Sequence, residues 1–191
     1  MRSRTTRRRL RTAVAAVAGA VVLAGVATAG AATAGAEAEN SDVARQTHAE
    51  RQVEGTPCSV SARACVDLAT QRAWLITDGR VTHGPVPVAS GEAGQETPIG
   101  HSFRVYRKDA DHTSGEFTTP QGRPAPMPWS VFFADGGVAF HGGDRDRASA
   151  GCVKLDTGEA RTFFDALRTG DKVQVLDAPT ERDERAELAT V

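Results

Sequence analysis

The sequence predicts a mainly β protein with one short α-helix, on the basis of three local patterns. Apolar side chains recur through residues 66–77, with the alternation that is typical of half-buried strands. Asp78 and Gly79 follow directly, and because both residues tolerate a positive φ, the pair predicts a tight hairpin. Apolar residues at helical spacing are found between Asp156 and Gly170. The chain is therefore expected to fold as sheets with one helix packed against them.

The other strand candidates are short apolar segments bounded by glycine, proline or polar residues. They lie at 81–89, 103–106, 131–133, 138–140 and 172–176. Pro85 and Pro87 lie in the first of these and favour an edge strand, because proline donates no hydrogen bond. Residues 109–128, which include four prolines, are predicted to form a long loop near the functional site, in the position of a lid.

The single helix has recognisable start and stop signals. Asp156 and Glu159 have the spacing of a capping box, in which each side chain binds a backbone N–H of the first turn. Ala160, Phe163, Phe164 and Leu167 then form one apolar face. Gly170 is expected to end the helix.

The N-terminus reads as an export signal followed by a linker. Six arginines lie within residues 1–11, and a run of small apolar residues with several A-x-A sites follows. Residues 1–36 are therefore predicted to be a signal peptide, with an uncleaved membrane anchor as the alternative. Residues 37–57 are polar and are expected to be a flexible linker, residues 58–177 a catalytic domain, and residues 178–191 a charged, mobile tail.

The charge of the exported part argues against nucleic acid as a partner. The chain has 23 basic and 24 acidic residues, and six of the basic ones precede the first acidic residue, Glu37. Removal of the signal therefore leaves 17 basic residues and a net charge of −7. An acidic chain lacks the electrostatic footprint of a nucleic-acid binder, and no polybasic membrane patch is visible.

Three cysteines in an exported chain leave one thiol unpaired. Cys58 and Cys65 are close in sequence, whereas Cys152 is distant from both. A disulfide between Cys58 and Cys65 is favoured because exported proteins meet oxidising conditions, and the alternative is that both stay reduced. Cys152 is then the free thiol.

The segment from His141 to Lys154 carries the residues of a thiol nucleophile. Cys152 follows Gly151 and a glycine-bearing loop that begins just after His141. A cysteine attacks as its thiolate, and a neighbouring imidazole that accepts its proton supplies that form at neutral pH. A buried structural cysteine and a histidine at a strand end are the plainer interpretations, but the Ser-Ala-Gly-Cys context favours catalysis.

Metal catalysis is the main rival for a histidine and cysteine pair. The sequence has no CxxC or HExxH motif, and the other histidines, at positions 48, 83, 101 and 112, are scattered. No metal site is therefore expected.

The segment around Cys152 resembles the HG…S-x-G-C-(V/I)-(R/K) signature of L,D-transpeptidase (YkuD-type) catalytic domains. Three further landmarks occur in the order found in that family: residues 65–80 resemble its opening hairpin, residues 97–100 its TPxG turn, and residues 127–133 and 137–141 the strands that lead into the site. The resemblance implies a β-sandwich or partly closed barrel and a cysteine acyltransferase without an organic cofactor.

The family pattern assigns roles residue by residue. Cys152 corresponds to the nucleophile and His141 to the base, with the Gly142 carbonyl orienting the imidazole ring. Backbone N–H groups of Gly151 and Cys152 are the oxyanion-hole candidates, and Ser149 is expected to shape the loop.

The chain departs from the family pattern at two positions. Ala150 stands where many members have histidine, and Lys154 stands where arginine is frequent. Lysine lacks the planar fork that binds a carboxylate through two hydrogen bonds, so its contact with a substrate carboxylate is weaker. Lys154, Trp129, Met127 and Tyr106 are the candidates for lining the substrate groove, although ordinary packing of a small β domain is the favoured alternative for the last three.

The resemblance implies peptidoglycan cross-linking outside the cytoplasmic membrane. The Cys152 thiolate is expected to attack the third residue of a stem peptide and to pass the acyl group to a neighbouring amine, giving a 3→3 cross-link. Carbapenem-type β-lactams are expected to acylate the same cysteine, and no obligate protein partner is evident. Two alternatives remain, an L,D-carboxypeptidase that uses the same cysteine and a non-catalytic cell-wall-binding envelope protein.

Overall fold

The structure, a computed structural model, describes residues 42–188. Within them the elements run α1 (Asp42–Ala49), β1 (Ala64–Asp67), β2 (Arg72–Thr77), β3 (Arg80–Pro87), β4 (Gly100–Arg104), β5 (Arg107–Asp109), β6 (Thr113–Thr118), β7 (Pro124–Pro126), β8 (Ser130–Ala134), a 3₁₀ turn (Asp135–Gly137), β9 (Val138–Gly142), β10 (Val153–Leu155), α2 (Thr157–Ala166), β11 (Lys172–Leu176) and α3 (Ala178–Leu188). The predicted signal peptide lies outside the described residues. No helix between residues 42 and 188 is long and apolar enough to cross a membrane.

The strands form two larger sheets and one hairpin. The five-stranded sheet has the order β3-β2-β1-β11-β4, and the four-stranded sheet has the order β10-β9-β8-β5. Pairing is antiparallel except that β1 runs parallel to β11 and β10 runs parallel to β9. Strands β6 and β7 pair only with each other. The mainly β prediction is confirmed, with two open sheets rather than a closed barrel.

One apolar core contains side chains from both larger sheets and from α2. Val66 and Val175 enter it from the five-stranded sheet, Phe133 and Phe140 from the four-stranded sheet, and Phe163 from the helix. Phe140 lies between Phe133 and Phe163, with ring centroids 4.8 and 5.2 Å away. This packing fixes β9 and β10, the two strands that flank the Cys152 loop.

A second, smaller core covers the other face of the five-stranded sheet. Trp74, Ile76 and Leu176 pack there around the disulfide between Cys58 and Cys65, whose Cα atoms are 5.8 Å apart. The predicted disulfide is thus present, and Cys152 is the free cysteine among the described residues.

Replacing Cys58 and Cys65 together by alanine is expected to lower the free energy of unfolding by about 2–3 kcal/mol, because the unfolded chain regains the entropy of the closed loop. The melting temperature should fall by about 4–12 °C, and thermal unfolding followed by circular dichroism measures it. An unchanged melting temperature would contradict a stabilising disulfide between Cys58 and Cys65.

The predicted strand over residues 66–77 is wrong in one respect, because it is two strands joined by a turn. The chain reverses between Asp67 and Arg72, where Gln71 has a φ of 52°. The Asp67 carboxylate accepts hydrogen bonds from the Ala69 N–H at 3.1 Å and from the Thr70 hydroxyl at 2.5 Å. These short-range hydrogen bonds stabilise a turn inside an apolar run. The predicted hairpin at Asp78 and Gly79 is present, and both residues have positive φ, 52° and 69°.

The prediction of a single helix is also wrong, because helices occur in the expected linker and in the expected tail. The side chain of Arg185 in α3 donates to the carbonyls of Thr47, His48 and Glu50 at the end of α1, at 2.8–3.2 Å. Pro179 lies in the first turn of α3, where proline is tolerated. Both helices are polar, so hydrophobic periodicity does not reveal them.

Helix α2 forms where predicted, but its capping differs. The Asp156 carboxylate binds the Arg145 guanidinium at 3.0 Å on both oxygens, and Glu159 binds His83, so the expected capping box is absent from this helix. The helix ends at Ala166 rather than at Gly170, because Leu167 turns to an extended conformation and is buried in the core.

Candidate active site

Cys152 and His141 line the same cavity, which has a volume of about 470 Å³. The 3₁₀ turn at the start of β9 and the loop between β9 and β10 form one side. The hairpin β6–β7 forms another, through residues 114–118 and Met127 beside it. The segment predicted to be a lid is therefore a wall of the cavity that contains the free thiol.

The imidazole of His141 is held in one tautomer. His141 lies in β9 and is only 6% exposed. Its Nδ1 is 2.9 Å from the Gly142 carbonyl oxygen. A carbonyl only accepts, so Nδ1 carries the proton and Nε2 keeps a lone pair that is able to accept one. The predicted role of the Gly142 carbonyl agrees with this geometry.

Burial shifts the pKa values of the two groups toward their neutral forms. The pKa of the Cys152 thiol is raised, chiefly by burial and against the opposing effects of a backbone hydrogen bond at Ala139 and the charge of Lys154. The pKa of His141 is lowered, chiefly by burial and further by the charges of Lys154 and His112. At neutral pH the resting site therefore holds a thiol and a neutral imidazole, which makes His141 a candidate general base.

The loop before Cys152 adopts a backbone conformation that requires glycine. Gly151 has a φ of +100°. The thiol Sγ lies 3.7 Å from the Gly137 carbonyl oxygen. No hydrogen bond within residues 42–188 uses the N–H of Gly151 or Cys152. Both N–H groups thus remain candidates for binding an oxyanion.

Ser149 stabilises this loop through three hydrogen bonds. Its hydroxyl donates to the Cys152 carbonyl oxygen at 2.5 Å. Its backbone N–H donates to Ser90 and its carbonyl accepts from Glu92, both at 3.0 Å. Ser149 is buried, and these hydrogen bonds hold the loop that carries Cys152, while its part in catalysis stays a prediction.

Replacing Gly151 by alanine is expected to reduce the acylation rate by about 10–100-fold, because a left-handed φ strains an L-residue by about 1–3 kcal/mol and displaces the Cys152 N–H. The nearest non-neighbouring atom to the added Cβ is 3.6 Å away, so a clash is not the cause. Gly158→Ala, in α2 and with open space around its Cβ, is the matched control. Acylation measured by intact-protein mass spectrometry tests this, and equal rates would contradict it.

Lys154 contributes to the loop rather than offering a free ammonium. It lines the cavity and lies opposite His141 in the β9–β10 pair. Its ammonium donates to the carbonyl oxygens of Arg147 and Ala148, both at 2.8 Å. Lys154 thus ties the loop to β10, and the expectation that it binds substrate remains a proposal.

Of the three aromatic and sulfur candidates for the groove, only Met127 lines the cavity. Trp129 packs against Phe164 of α2 with ring centroids 5.4 Å apart, so it serves the packing of the helix. Tyr106 directs its hydroxyl to the Ala134 carbonyl oxygen at 3.4 Å and is not among the lining residues. Trp129 therefore packs against the helix, as the favoured alternative expects, whereas Tyr106 is 49% exposed and its place in the groove stays a proposal.

No role was predicted from sequence for five ionisable residues of the cavity wall, Arg107, His112, Glu116, Asp144 and Arg147. His112 Nδ1 lies 3.3 Å from Asp109 Oδ2, and its ring meets Phe132 edge to face at 5.0 Å. The Arg107 guanidinium lies 3.8 Å from the centroid of the Phe132 ring. The one sequence signal for this part of the cavity wall was the long, proline-rich segment 109–128, which was predicted to lie near the site.

Comparisons with known proteins agree with the geometry. The chain matches the YkuD model, described as the L,D-transpeptidase catalytic domain, over residues 61–175. It is 26% identical over 146 residues to "Probable L,D-transpeptidase ErfK/SrfK" of Salmonella typhimurium, an alignment of 65% of this chain and 47% of that protein. The chain thus spans about half the length of this curated relative.

Solved structures show the same fold. An L,D-transpeptidase (Yku) from Stackebrandtia nassauensis matches with a TM-score of 0.54 and 24% identity, over 72% of this chain and 64% of that one. LdtMt1, an LD transpeptidase solved in complex with imipenem, matches with a TM-score of 0.52 and 21% identity, over 59% and 57%. The family model covers more than half of the chain and includes both cavity residues, Cys152 and His141. The chain therefore belongs to the YkuD family of L,D-transpeptidase catalytic domains.

Proposed function

We propose that this protein is a peptidoglycan L,D-transpeptidase that forms 3→3 cross-links through a Cys152 acyl-enzyme. The observation that carries the proposal is the shared cavity of Cys152 and His141, in which the Gly142 carbonyl leaves His141 Nε2 as the base. The membership in the YkuD family supports the acyl-transfer chemistry.

In the first half-reaction, His141 Nε2 accepts the thiol proton as Cys152 Sγ attacks the carbonyl carbon of the third stem-peptide residue. The resulting oxyanion is bound by the N–H groups of Gly151 and Cys152. The C–N bond then breaks, and the imidazolium gives its proton to the amine of the departing D-alanine. A thioester on Cys152 remains.

In the second half-reaction, an amine of a neighbouring stem peptide attacks the thioester. His141 takes a proton from this amine, the C–S bond breaks, and the proton returns to the Cys152 sulfur. The product is an amide between two stem peptides, and the enzyme is regenerated. If water attacks in place of the amine, the same steps release a tripeptide, which is the carboxypeptidase reaction.

The charges on the cavity wall fit a peptide substrate that carries both signs. Arg107, Arg147 and His112 can face a carboxylate, whereas Glu116 and Asp144 can face an ammonium group. A stem peptide offers a terminal carboxylate and, on its diamino acid, an amine. Such a substrate lies outside the cytoplasmic membrane, in accord with the predicted export signal.

Carbapenems are the proposed covalent inhibitors. LdtMt1, which shares the fold, is described in complex with imipenem. A β-lactam carbonyl replaces the stem-peptide carbonyl in the first half-reaction, and ring opening leaves an acyl group on Cys152.

The pH profile of acylation is expected to have its acid limb below about pH 6.5, the ordinary pKa of histidine. Burial lowers the pKa of His141, so the neutral base persists to lower pH than it does in water. Burial raises the pKa of Cys152, so free thiolate accumulates only above about pH 8.5. Carbapenem acylation followed across pH by intact mass measures the profile, and an acid limb above pH 6.5 would contradict a buried neutral base.

The acyl-enzyme is tested directly by incubating the protein with a disaccharide tetrapeptide whose diamino-acid side-chain amine has been acetylated, so that no acceptor amine is present. Intact-protein mass spectrometry should detect the tripeptide acyl adduct, with one D-alanine released per adduct. Proteolytic mapping should place the adduct at Cys152. An adduct elsewhere, or release of D-alanine from a Cys152→Ala variant, would overturn the proposal.

A further inference from the structure

Four side chains with metal-binding atoms converge on the outer side of the five-stranded sheet. His48 comes from the end of α1, His101 from β4, and Glu181 and Glu184 from adjacent turns of α3. None of the four is among the residues that line the catalytic cavity. The cluster therefore lies outside the proposed acyl-transfer site.

The four donor atoms have spacings close to those of a tetrahedral site. All lie within 4.8 Å of one another. His101 Nε2 is 2.8 Å and His48 Nε2 is 3.1 Å from Glu181 Oε2, and His48 Nε2 is 3.2 Å from Glu184 Oε2. With bonds of about 2.0–2.1 Å, ligands of tetrahedral zinc lie about 3.3 Å apart. A small rearrangement thus suffices to place an ion between them.

Hydrogen bonding alone accounts poorly for the contact between the two rings. His48 Nε2 and His101 Nε2 are 3.1 Å apart, and both face the same Glu181 Oε2. If both Nε2 atoms carry protons, the two N–H groups repel each other at this distance. If one of them is unprotonated, its lone pair faces the lone pairs of the carboxylate oxygen, which is also repulsive. A cation between the atoms accepts all of these lone pairs at once.

The cluster is buried, and in the part of the chain that the structure describes no hydrogen bond at Nδ1 holds either imidazole ring in a single tautomer. The side chains of His48, His101 and Glu181 are 1%, 6% and 2% exposed, and Glu184, at 23%, lies at the rim. Nδ1 of each ring has no hydrogen-bond partner among the described residues, so no hydrogen bond at Nδ1 fixes either tautomer. Each ring is therefore able to present an unprotonated Nε2 to an ion.

A neighbouring arginine orients the central carboxylate. Arg185 Nε donates to Glu181 Oε1 at 2.6 Å, which directs Oε2 toward the two rings. Outer hydrogen bonds of this kind are typical of metal-ligating carboxylates. The same guanidinium binds the carbonyl of His48 at 2.8 Å, so it positions two of the four residues.

We propose that His48, His101, Glu181 and Glu184 bind a divalent transition-metal ion, with zinc as the best match, and that this ion fastens α1 and α3 to the sheet. Two imidazoles and two carboxylates suit zinc, and a site with all four positions filled by protein side chains has no open position for catalysis. The expectation from sequence that no metal is bound is thereby revised for this part of the chain, not for the catalytic cavity.

The test uses the full chain carrying Cys152→Ala, so that the free thiol does not bind zinc, after removal of metal with a chelator. Calorimetric titration with zinc sulfate should give one ion per chain. A hundredfold excess over the dissociation constant should raise the melting temperature by about 5–10 °C, whereas magnesium chloride should not. Cobalt(II) should give the intense visible absorption of a tetrahedral site.

Variants of the cluster locate the ion. His101→Gln and Glu184→Gln should each weaken zinc binding by at least about tenfold. His83→Gln, which alters a histidine paired with Glu159 outside the cluster, should bind zinc like the parent. Because Glu184 lies at the rim, Glu184→Gln remains informative if His101→Gln does not fold. Absence of zinc binding by the parent, or equal binding by the parent and Glu184→Gln, would overturn the proposal.

Discussion

Replacing Cys152 by serine is expected to lower the rate of acyl transfer by about four orders of magnitude or more. Serine keeps nearly the same shape, but its hydroxyl is far less acidic than the thiol, and a neutral imidazole does not activate it to the same degree. Because the surrounding loop is held by Ser149 and Lys154, the cavity should keep its shape. Release of D-alanine from a disaccharide tetrapeptide measures the loss.

The other two cysteines supply the control for this experiment. A Cys58→Ala and Cys65→Ala variant loses the disulfide but keeps the Cys152 thiol. It should be less stable to heat and yet acylate at a rate close to that of the wild type at 25 °C. If the serine variant remained active and the disulfide variant did not, the nucleophile would have been assigned to the wrong cysteine.

Replacing His141 by glutamine is expected to lower the acylation rate by about 10²–10⁴-fold, the usual contribution of a general base. The raised pKa of the Cys152 thiol leaves little thiolate at neutral pH without this base. The residual activity should increase with pH as hydroxide and free thiolate take over. The acid limb that reports the titration of His141 should disappear from the pH profile.

His83→Gln is the matched control, because His83 pairs with Glu159 and is not a lining residue of the cavity. Its rate and pH profile should match those of the wild type. A His141→Gln variant that retained the wild-type acid limb would show that another group, such as His112, is the base.

The shared location of His141 and Cys152 was predictable from sequence because its determinants are local. His141 is the last residue but one of β9, Gly151 has the positive φ that glycine favours, and Cys152 precedes a buried strand, all within one continuous segment. The hairpin at Asp78 and Gly79 was predictable for the same reason. In each case the backbone preference of a few neighbouring residues decides the structure.

The role of Lys154 was not predictable, because it depends on where the loop folds back. The sequence shows a cation after the nucleophile, which suggests contact with a substrate carboxylate. The structure directs its ammonium to the carbonyls of Arg147 and Ala148. Similarly, Trp129 lies two positions after Met127, which lines the cavity, but its ring packs against Phe164 of α2.

The two terminal helices were missed because their stabilisation comes from distant parts of the chain. Arg185 joins α3 to the end of α1 across 135–138 positions. His48 and His101 are 53 positions apart and meet only in the folded protein. Composition alone shows these segments as polar, and polar segments without periodicity are predicted as linkers and tails.

Muropeptide mass spectrometry tests most directly whether the protein forms 3→3 cross-links through Cys152. The protein is incubated with purified tetrapeptide-bearing disaccharides as donor and acceptor, beside the Cys152→Ala variant. We expect dimers joined by a 3→3 bond, formed by the wild type alone. Tripeptide without dimers would contradict the transpeptidase assignment in favour of a carboxypeptidase, and unchanged substrate would contradict catalysis by Cys152 altogether.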